Sequence, residues 1–275
     1  MSSTDIEVSG LEFSYNSAKE ILKDVNIKIG GAQLISIIGP NGVGKSTFIH
    51  CLNKILSPTG GRVQIVDKDV TEYSIKDLAK VMGFVPHATG DSFPMTVMDT
   101  VLMGRHPHVG HKITNDDVYE AYNLLKRLNI EDLAMRPFDQ LSAGQHQKVA
   151  IARGLAQKPH ILLLDEPTSN LDIKHQMDVT RILKEISASE NMVVVMISHD
   201  LNIAAKYSDK IIMLYGKGIY AVGSPKEVIT RENIRHVYHV ESSIIEDEGR
   251  PHVILRDELF NSEMKDIESD CICCR

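Results

Sequence analysis

Three short stretches of this 275-residue sequence set reactive groups where a nucleotide could be held and cleaved. The first is "GPNGVGKST", Gly39 to Thr47, which follows an apolar run and opens a segment with helical spacing. It fits G-x-x-x-x-G-K-[ST] through Gly39, Gly44, Lys45 and Ser46. Glycines let the backbone curl so that successive N–H groups point at phosphate, and the helix N-terminus adds its dipole. Lys45 would then contact the β and γ phosphates, and the Ser46 hydroxyl would ligate magnesium. The second is "ILLLDEP", Ile161 to Pro167. Four apolar residues read as a buried strand, and Asp165 emerges at its end, where a carboxylate can hold magnesium directly or through water. Glu166 comes next, placed to orient a water against the γ phosphate and accept its proton. The third is "MISHDL", which sets His199 at the end of another apolar run, where an imidazole can hydrogen-bond the γ phosphate. Two acids at a strand end, or a lone histidine, are more often structural. The glycine loop is what gives them a substrate.

A fourth stretch raises a question. "DQLSAGQHQKVAIARG", Asp139 to Gly154, is another polar turn before a basic helix, and it too suits an anion. The chain therefore carries two loops built for phosphate.

The surrounding elements can be read from periodicity. "DIEVSGLEFSY", "LKDVNIKI" and "QLISIIG" read as strands separated by polar turns. "KSTFIHCLNKIL" has helical spacing and ends before Ser57-Pro58-Thr59-Gly60-Gly61, after which "GRVQIV" returns as a strand. From about Thr96 to Gln157 the chain is mostly helical. "HILLLDEP", a helix around Gln176 to Ser187, "MVVVMISH" and "KIIMLYG" then alternate strand and helix. Such alternation implies an α/β fold with a mostly parallel central sheet covered on both faces, and the helical middle is an insertion between two halves of that sheet. Beyond about Val240 the pattern weakens, and "IIEDEGRPHVILRD" is compatible with a small β segment.

Composition sets the class. Apolar residues make up 43% and charged residues 24%, which suits a packed soluble core. No apolar run approaches the roughly 20 residues of a membrane-spanning helix. "MSSTDIEVSG" has neither a basic stretch nor an apolar core, so it is not a secretion signal. A cytoplasmic protein is expected, one that reaches a membrane only through a partner. The net charge of −7 argues against a nucleic-acid surface. The terminal "DCICCR" lacks a full metal-ligand set, and Arg275 rules out a prenylation box.

Over about Glu7 to Val240 the chain resembles the ATPase subunit of ATP-binding cassette (ABC) transporters. "GPNGVGKST" is similar to the Walker A loop, "LSAGQ" to the family signature, "ILLLDEP" to Walker B, "SNLD" to the D-loop and "SH" to the switch histidine. Tyr15, in "LEFSY", corresponds to the aromatic residue that stacks on adenine. The signature discriminates, because many other P-loop proteins share the Walker motifs. The resemblance implies a P-loop NTPase fold with an N-terminal antiparallel β subdomain and an inserted helical subdomain. On this expectation residues 1–240 form the ATPase domain, with helical residues about 88–157, and 241–275 form an extension ending in a flexible tail.

The resemblance also assigns roles. ATP would lie on Tyr15 and on Gly39, Pro40, Asn41, Gly42, Val43, Gly44, Lys45, Ser46 and Thr47, with Mg2+ on Ser46 and Asp165. Glu166 and His199 would be catalytic. Cassettes of the family pack head to tail with ATP between them, so Ser142, Ala143, Gly144 and Gln145 would complete the site of a second copy, and Ser169 and Asp172 would form the D-loop. That arrangement answers why one chain needs two phosphate loops. Further implied partners are integral-membrane permease subunits and, indirectly, a substrate-binding protein, which places the chain peripherally on the cytoplasmic face of the membrane. Three positions depart from the pattern. Ala143 replaces a common glycine and needs a negative φ. Val43 replaces a frequent serine or alanine, leaving the backbone cradle intact. His87 stands where a glutamine normally reaches toward the metal and the attacking water; its imidazole keeps hydrogen-bonding capacity and makes it a further catalytic and metal-site candidate.

"TVMDTVLMGRHPHVG" resembles the corresponding stretch of importers of iron chelates, haem and cobalamin, and molybdate importers share parts of it. Two other classes compete. A soluble ABC ATPase that remodels nucleic acid or ribosomes usually has paired cassettes or a long coiled-coil insertion, which this acidic sequence lacks. A regulator without turnover would not need Glu166 and His199.

Overall fold

The computed structural model describes residues 5–15, 19–87, 95–108 and 112–256. The cysteine cluster, the expected tail and the first residues of the 88–157 segment lie outside these ranges. Strands β1 (Ile6–Ser14) and β2 (Glu20–Ile29) form an antiparallel pair, followed by β3 (Gln33–Ile38) and helix α1 (Lys45–Leu52). Next come β4 (Gly60–Ile65), β5 (Lys68–Asp69), α2 (Ile75–Val81) and β6 (Met82–Val85). Helices α3 (Val97–Met103), α4 (Asn115–Arg127) and α5 (Ala143–Leu155) make the helical middle. Then follow β7 (Ile161–Leu164), α6 (Ile173–Ser189), β8 (Val193–Ile197), α7 (Leu201–Tyr207), β9 (Lys210–Tyr215) and β10 (Gly218–Gly223). Short helices α8 (Pro225–Val228) and α9 (Arg231–Tyr238) lead to the hairpin β11 (Glu241–Asp247) and β12 (Arg250–Arg256).

The main sheet has the order β10-β9-β3-β8-β7-β6 and is parallel except for β10. Its central strands are buried along nearly their whole length, as a sheet covered on both faces requires. A second sheet, β2-β1-β4-β5, is antiparallel, and its strand β1 alternates buried and more exposed residues. Phe48, Ile49 and Leu52 of α1 share one buried cluster with Ile37 of β3 and Val8 and Leu11 of β1. The glycine loop that opens α1 is thereby held between the two sheets. Val85, Leu164, Met196 and Ser36 are successive register partners across β6, β7, β8 and β3, so β6 and β7 end on one row that β8 and β3 overrun only slightly. Residues just beyond these ends must converge, in the crevice where parallel sheets place their sites.

Thr96 and Thr114 close reciprocal capping boxes on α3 and α4. In the second box, Asp117 accepts from the Thr114 backbone N–H at 3.0 Å and from Arg105 Nε at 2.9 Å. Arg105 also donates to the Ala156 carbonyl at 2.8 Å, tying α3, α4 and α5 together. The bonds from the Thr114 N–H and hydroxyl, then Arg105, pull the Asp117 pKa from 3.8 down to about 2. A depressed carboxyl stabilises the fold above its unfolded value and loses that contribution as pH falls through its folded value. Asp117→Asn should therefore lower the denaturant midpoint at neutral pH. Its deficit against the parent should shrink as pH falls from about 4 toward 2, which paired unfolding curves would check.

Three local readings change. α1 stops at Leu52, not Leu56, because Lys54 adopts φ 63° and its ammonium bonds the Thr71 and Tyr73 carbonyls. α6 begins at Ile173, earlier than Gln176, because Asp172 caps it. The pairs α2–β6 and α8–α9 are too short to stand out by periodicity. The hairpin packs on α7, where the Asn202 amide bonds both the N–H and C=O of Val253. No helix among the described residues is long and apolar enough to cross a membrane.

Candidate functional site

The loop after β3 is shaped by glycine conformation. Gly39 and Gly44 have φ 147° and 104°, and Gly44 forms the N-cap of α1. A Cβ on Gly39 would stand 2.4 Å from the Leu214 carbonyl oxygen, so the loop lies flush against the end of β9. Lys45 is only 5% exposed, and its Nζ donates to the carbonyls of Gly39 and Pro40 at 2.8 and 2.9 Å. Burial lowers its pKa, and the carboxylates of Glu166 and Asp165 partly offset that. Ser46 Oγ donates to Asp165 Oδ1 at 3.0 Å. This pair of hard oxygens, one hydroxyl and one carboxylate, matches what Mg2+ takes from a protein that leaves its other positions to water and phosphate.

Glu166 sits just past β7 with φ 52°, a left-handed conformation that costs a non-glycine residue energy and recurs at functional sites. Its carboxylate lies between two imidazoles: His199 Nε2 is 2.5 Å from Oε1, and His87 Nδ1 is 3.6 Å from Oε2. Ser169 locks this arrangement, its hydroxyl donating to the Glu166 carbonyl at 2.9 Å and lying 3.1 Å from His87 Nδ1. The ends of β6, β7 and β8 thus deliver His87, Glu166 and His199 to one point.

A cavity of about 310 Å3 opens above the loop. Asn41, Gly42, Gly44, Lys45, Ser46 and Thr47 form its floor, and Glu166 and Tyr15 its sides. Tyr15 is 62% exposed, set edge-on to Phe13, with its hydroxyl 3.5 Å from Thr47 Oγ1. Such a pocket can hold a base against the ring and a phosphate chain on the loop. Val43 faces away, packed against the apolar cluster under the loop. Lys19 and Ile21 also line the cavity, and His50 Nε2 lies 3.8 Å from Asp165 Oδ2. Sequence reading missed all three. Lys19 is a cation close after Tyr15 in the sequence, Ile21 is one more strand residue, and His50 follows the loop by one helical turn.

Ser142, Ala143, Gly144 and Gln145 lie apart from this cavity. They form the first turn of α5, and Ala143 is helical with negative φ, as its replacement of glycine requires. Ser142 and Gln145 cap the helix reciprocally. Gly144 and Gln145 instead border a separate cavity of about 190 Å3, which shares no lining residue with the first. Asp172 caps α6 and holds His175. Within one chain, then, the glycine loop and the first turn of α5 border different cavities.

A model of the ABC transporter family matches residues 22–169. An uncharacterized ABC transporter ATP-binding protein of Methanocaldococcus jannaschii is 44% identical over 92% of this chain and 99% of its own length. A probable siderophore transport system ATP-binding protein of Bacillus subtilis is 32% identical over 95% of this chain and 99% of its own. Among solved structures, a putative metal-chelate type ABC transporter in an inward-facing conformation superimposes with TM-score 0.81 at 29% identity, covering 94% of this chain and 99% of that one. A dimeric ATP-binding cassette bound to ADP and Pi gives TM-score 0.71 at 29% identity, covering 80% and 98%.

Proposed function

This chain belongs to the ABC transporter family as an ATP-binding, ATP-hydrolysing subunit, and on that premise we propose that it energises an importer of iron-siderophore, haem or cobalamin. The observation that carries the catalytic part is one connected cluster: Lys45, Ser46 and Glu166 line the cavity, Asp165 bonds Ser46, and His199 and His87 flank Glu166. The siderophore system relative and the segment "TVMDTVLMGRHPHVG" support the cargo class.

ATP lies with its base on Tyr15 and its phosphates on residues 39–47. Lys45 supplies charge to the β and γ phosphates. Ser46 and Asp165 would hold Mg2+, which would supply charge neutralisation to the phosphates. Glu166 orients the attacking water and takes its proton, and His199 holds that carboxylate in line. His87 acts from the other side through Ser169. The working unit is a head-to-tail dimer in which Ser142 to Gln145 of one copy close on the nucleotide of the other, with Ser169 and Asp172 in the D-loop between them. The dimeric ADP- and Pi-bound cassette supports a dimeric working unit. Permease subunits hold the dimer on the cytoplasmic face of the membrane, and a substrate-binding protein delivers cargo to them. Residues 1–240 act as the ATPase domain, with the helical part at about 88–157, and 241–275 as its extension.

Deleting the gene should abolish uptake of one labelled cargo among iron-siderophore, haem and cobalamin. The parent chain should restore uptake and Lys45→Ala should not. Unchanged uptake of all three would remove this cargo class.

A further inference from the structure

We infer that His175 is a positioning residue that clamps the start of α6 to the signature turn of α5, and that Gly144 is glycine because this ring occupies the space of its side chain. The inference rests on the reading above that the signature turn meets a second copy's nucleotide.

The geometry is specific. Asp172 Oδ1 accepts from the His175 backbone N–H at 2.8 Å and lies 2.8 Å from His175 Nδ1. Held by its own backbone and its first ring nitrogen, the imidazole turns its opposite edge to α5. A Cβ built on Gly144 would stand 2.8 Å from His175 Cδ2 and 3.3 Å from Nε2. Gly144 has negative φ inside a regular helix, so its backbone does not call for glycine. Only the ring does.

The consequence is mechanical. Asp172 ends "SNLD", whose Ser169 bonds the Glu166 carbonyl and contacts His87. The same short segment thus touches the catalytic carboxylate of its own chain at one end and, through His175, the signature turn at the other. The signature that one copy presents to its partner's ATP is set by the segment that reads its own.

The test uses the full chain in four forms: parent, Gly144→Ala, His175→Ala and the double variant. Turnover, KM and ATP-dependent dimerisation are measured, together with nucleotide binding to the separate chain. Gly144→Ala should lose about tenfold or more in turnover and dimerisation, as overpacking a tight contact entails. The double variant should recover to within about threefold of His175→Ala, since the methyl then fills the vacated space. Nucleotide binding to the separate chain should stay at the parent level throughout, because the two cavities share no residue. A merely structural role for His175 would give additive losses. If Gly144→Ala is equally damaging with and without the ring, the clamp is overturned. If the parent forms no ATP-dependent dimer and Ser142→Arg turns over normally, the shared-site reading has failed, and the clamp with it.

Discussion

Glu166→Gln is expected to lower ATP turnover by about two to four orders of magnitude while ATP still binds. The amide is isosteric but cannot accept the proton of the attacking water. Binding survives because the floor of the cavity is the loop from Asn41 to Thr47, and Lys45 keeps its place under it. ATP that binds and is not cleaved should hold two chains together, so the variant should accumulate as an ATP-bound dimer in size-exclusion chromatography with ATP. The geometry sharpens the expectation. Glu166 is held in a left-handed conformation between His199 and His87, and Ser169 fixes its backbone carbonyl. A solvated acid capping a strand would need none of this. Near-parental turnover would remove Glu166 from the catalytic role.

The sequence made some of this site legible and hid the rest, for physical reasons. The phosphate loop was visible because its chemistry is contiguous: glycines, lysine and serine fall within one turn, between a strand and a helix. Asp165, Glu166 and His199 were visible because each ends an apolar run, and the parallel register brings those ends level. Lys19, Ile21 and His50 were not, because tertiary packing delivers them: the start of β2 brings Lys19 and Ile21 to the cavity, and α1 sets His50 against Phe84 of β6 and Asp165. His175 was hidden for a similar reason. Its significance lies in the Gly144 contact, and nothing local to "LDIKHQ" says that α5 and α6 begin side by side. The short α2, α8 and α9 escaped because one or two turns cannot establish a period.

The second large effect concerns the two loops together. Lys45→Ala removes the buried ammonium from the phosphate loop, and Ser142→Arg puts a long cation at the N-cap of α5. Each variant alone should neither occlude nor hydrolyse ATP, since every site of its homodimer carries one lesion. Mixing them changes the count. In a mixed dimer the Lys45→Ala chain lends its intact signature turn to the intact phosphate loop of the Ser142→Arg chain. One whole site is rebuilt, and the other carries both lesions. The mixture should therefore regain occlusion of labelled ATP at one site per dimer, with native mass spectrometry to confirm that mixed dimers form. Occlusion is the better readout, because turnover can require both sites. If both loops acted on one ATP within one chain, mixing would rebuild nothing. The separate cavities around Lys45 and around Gly144 already argue against that arrangement. Abundant mixed dimers without occluded ATP would sink the shared-site reading.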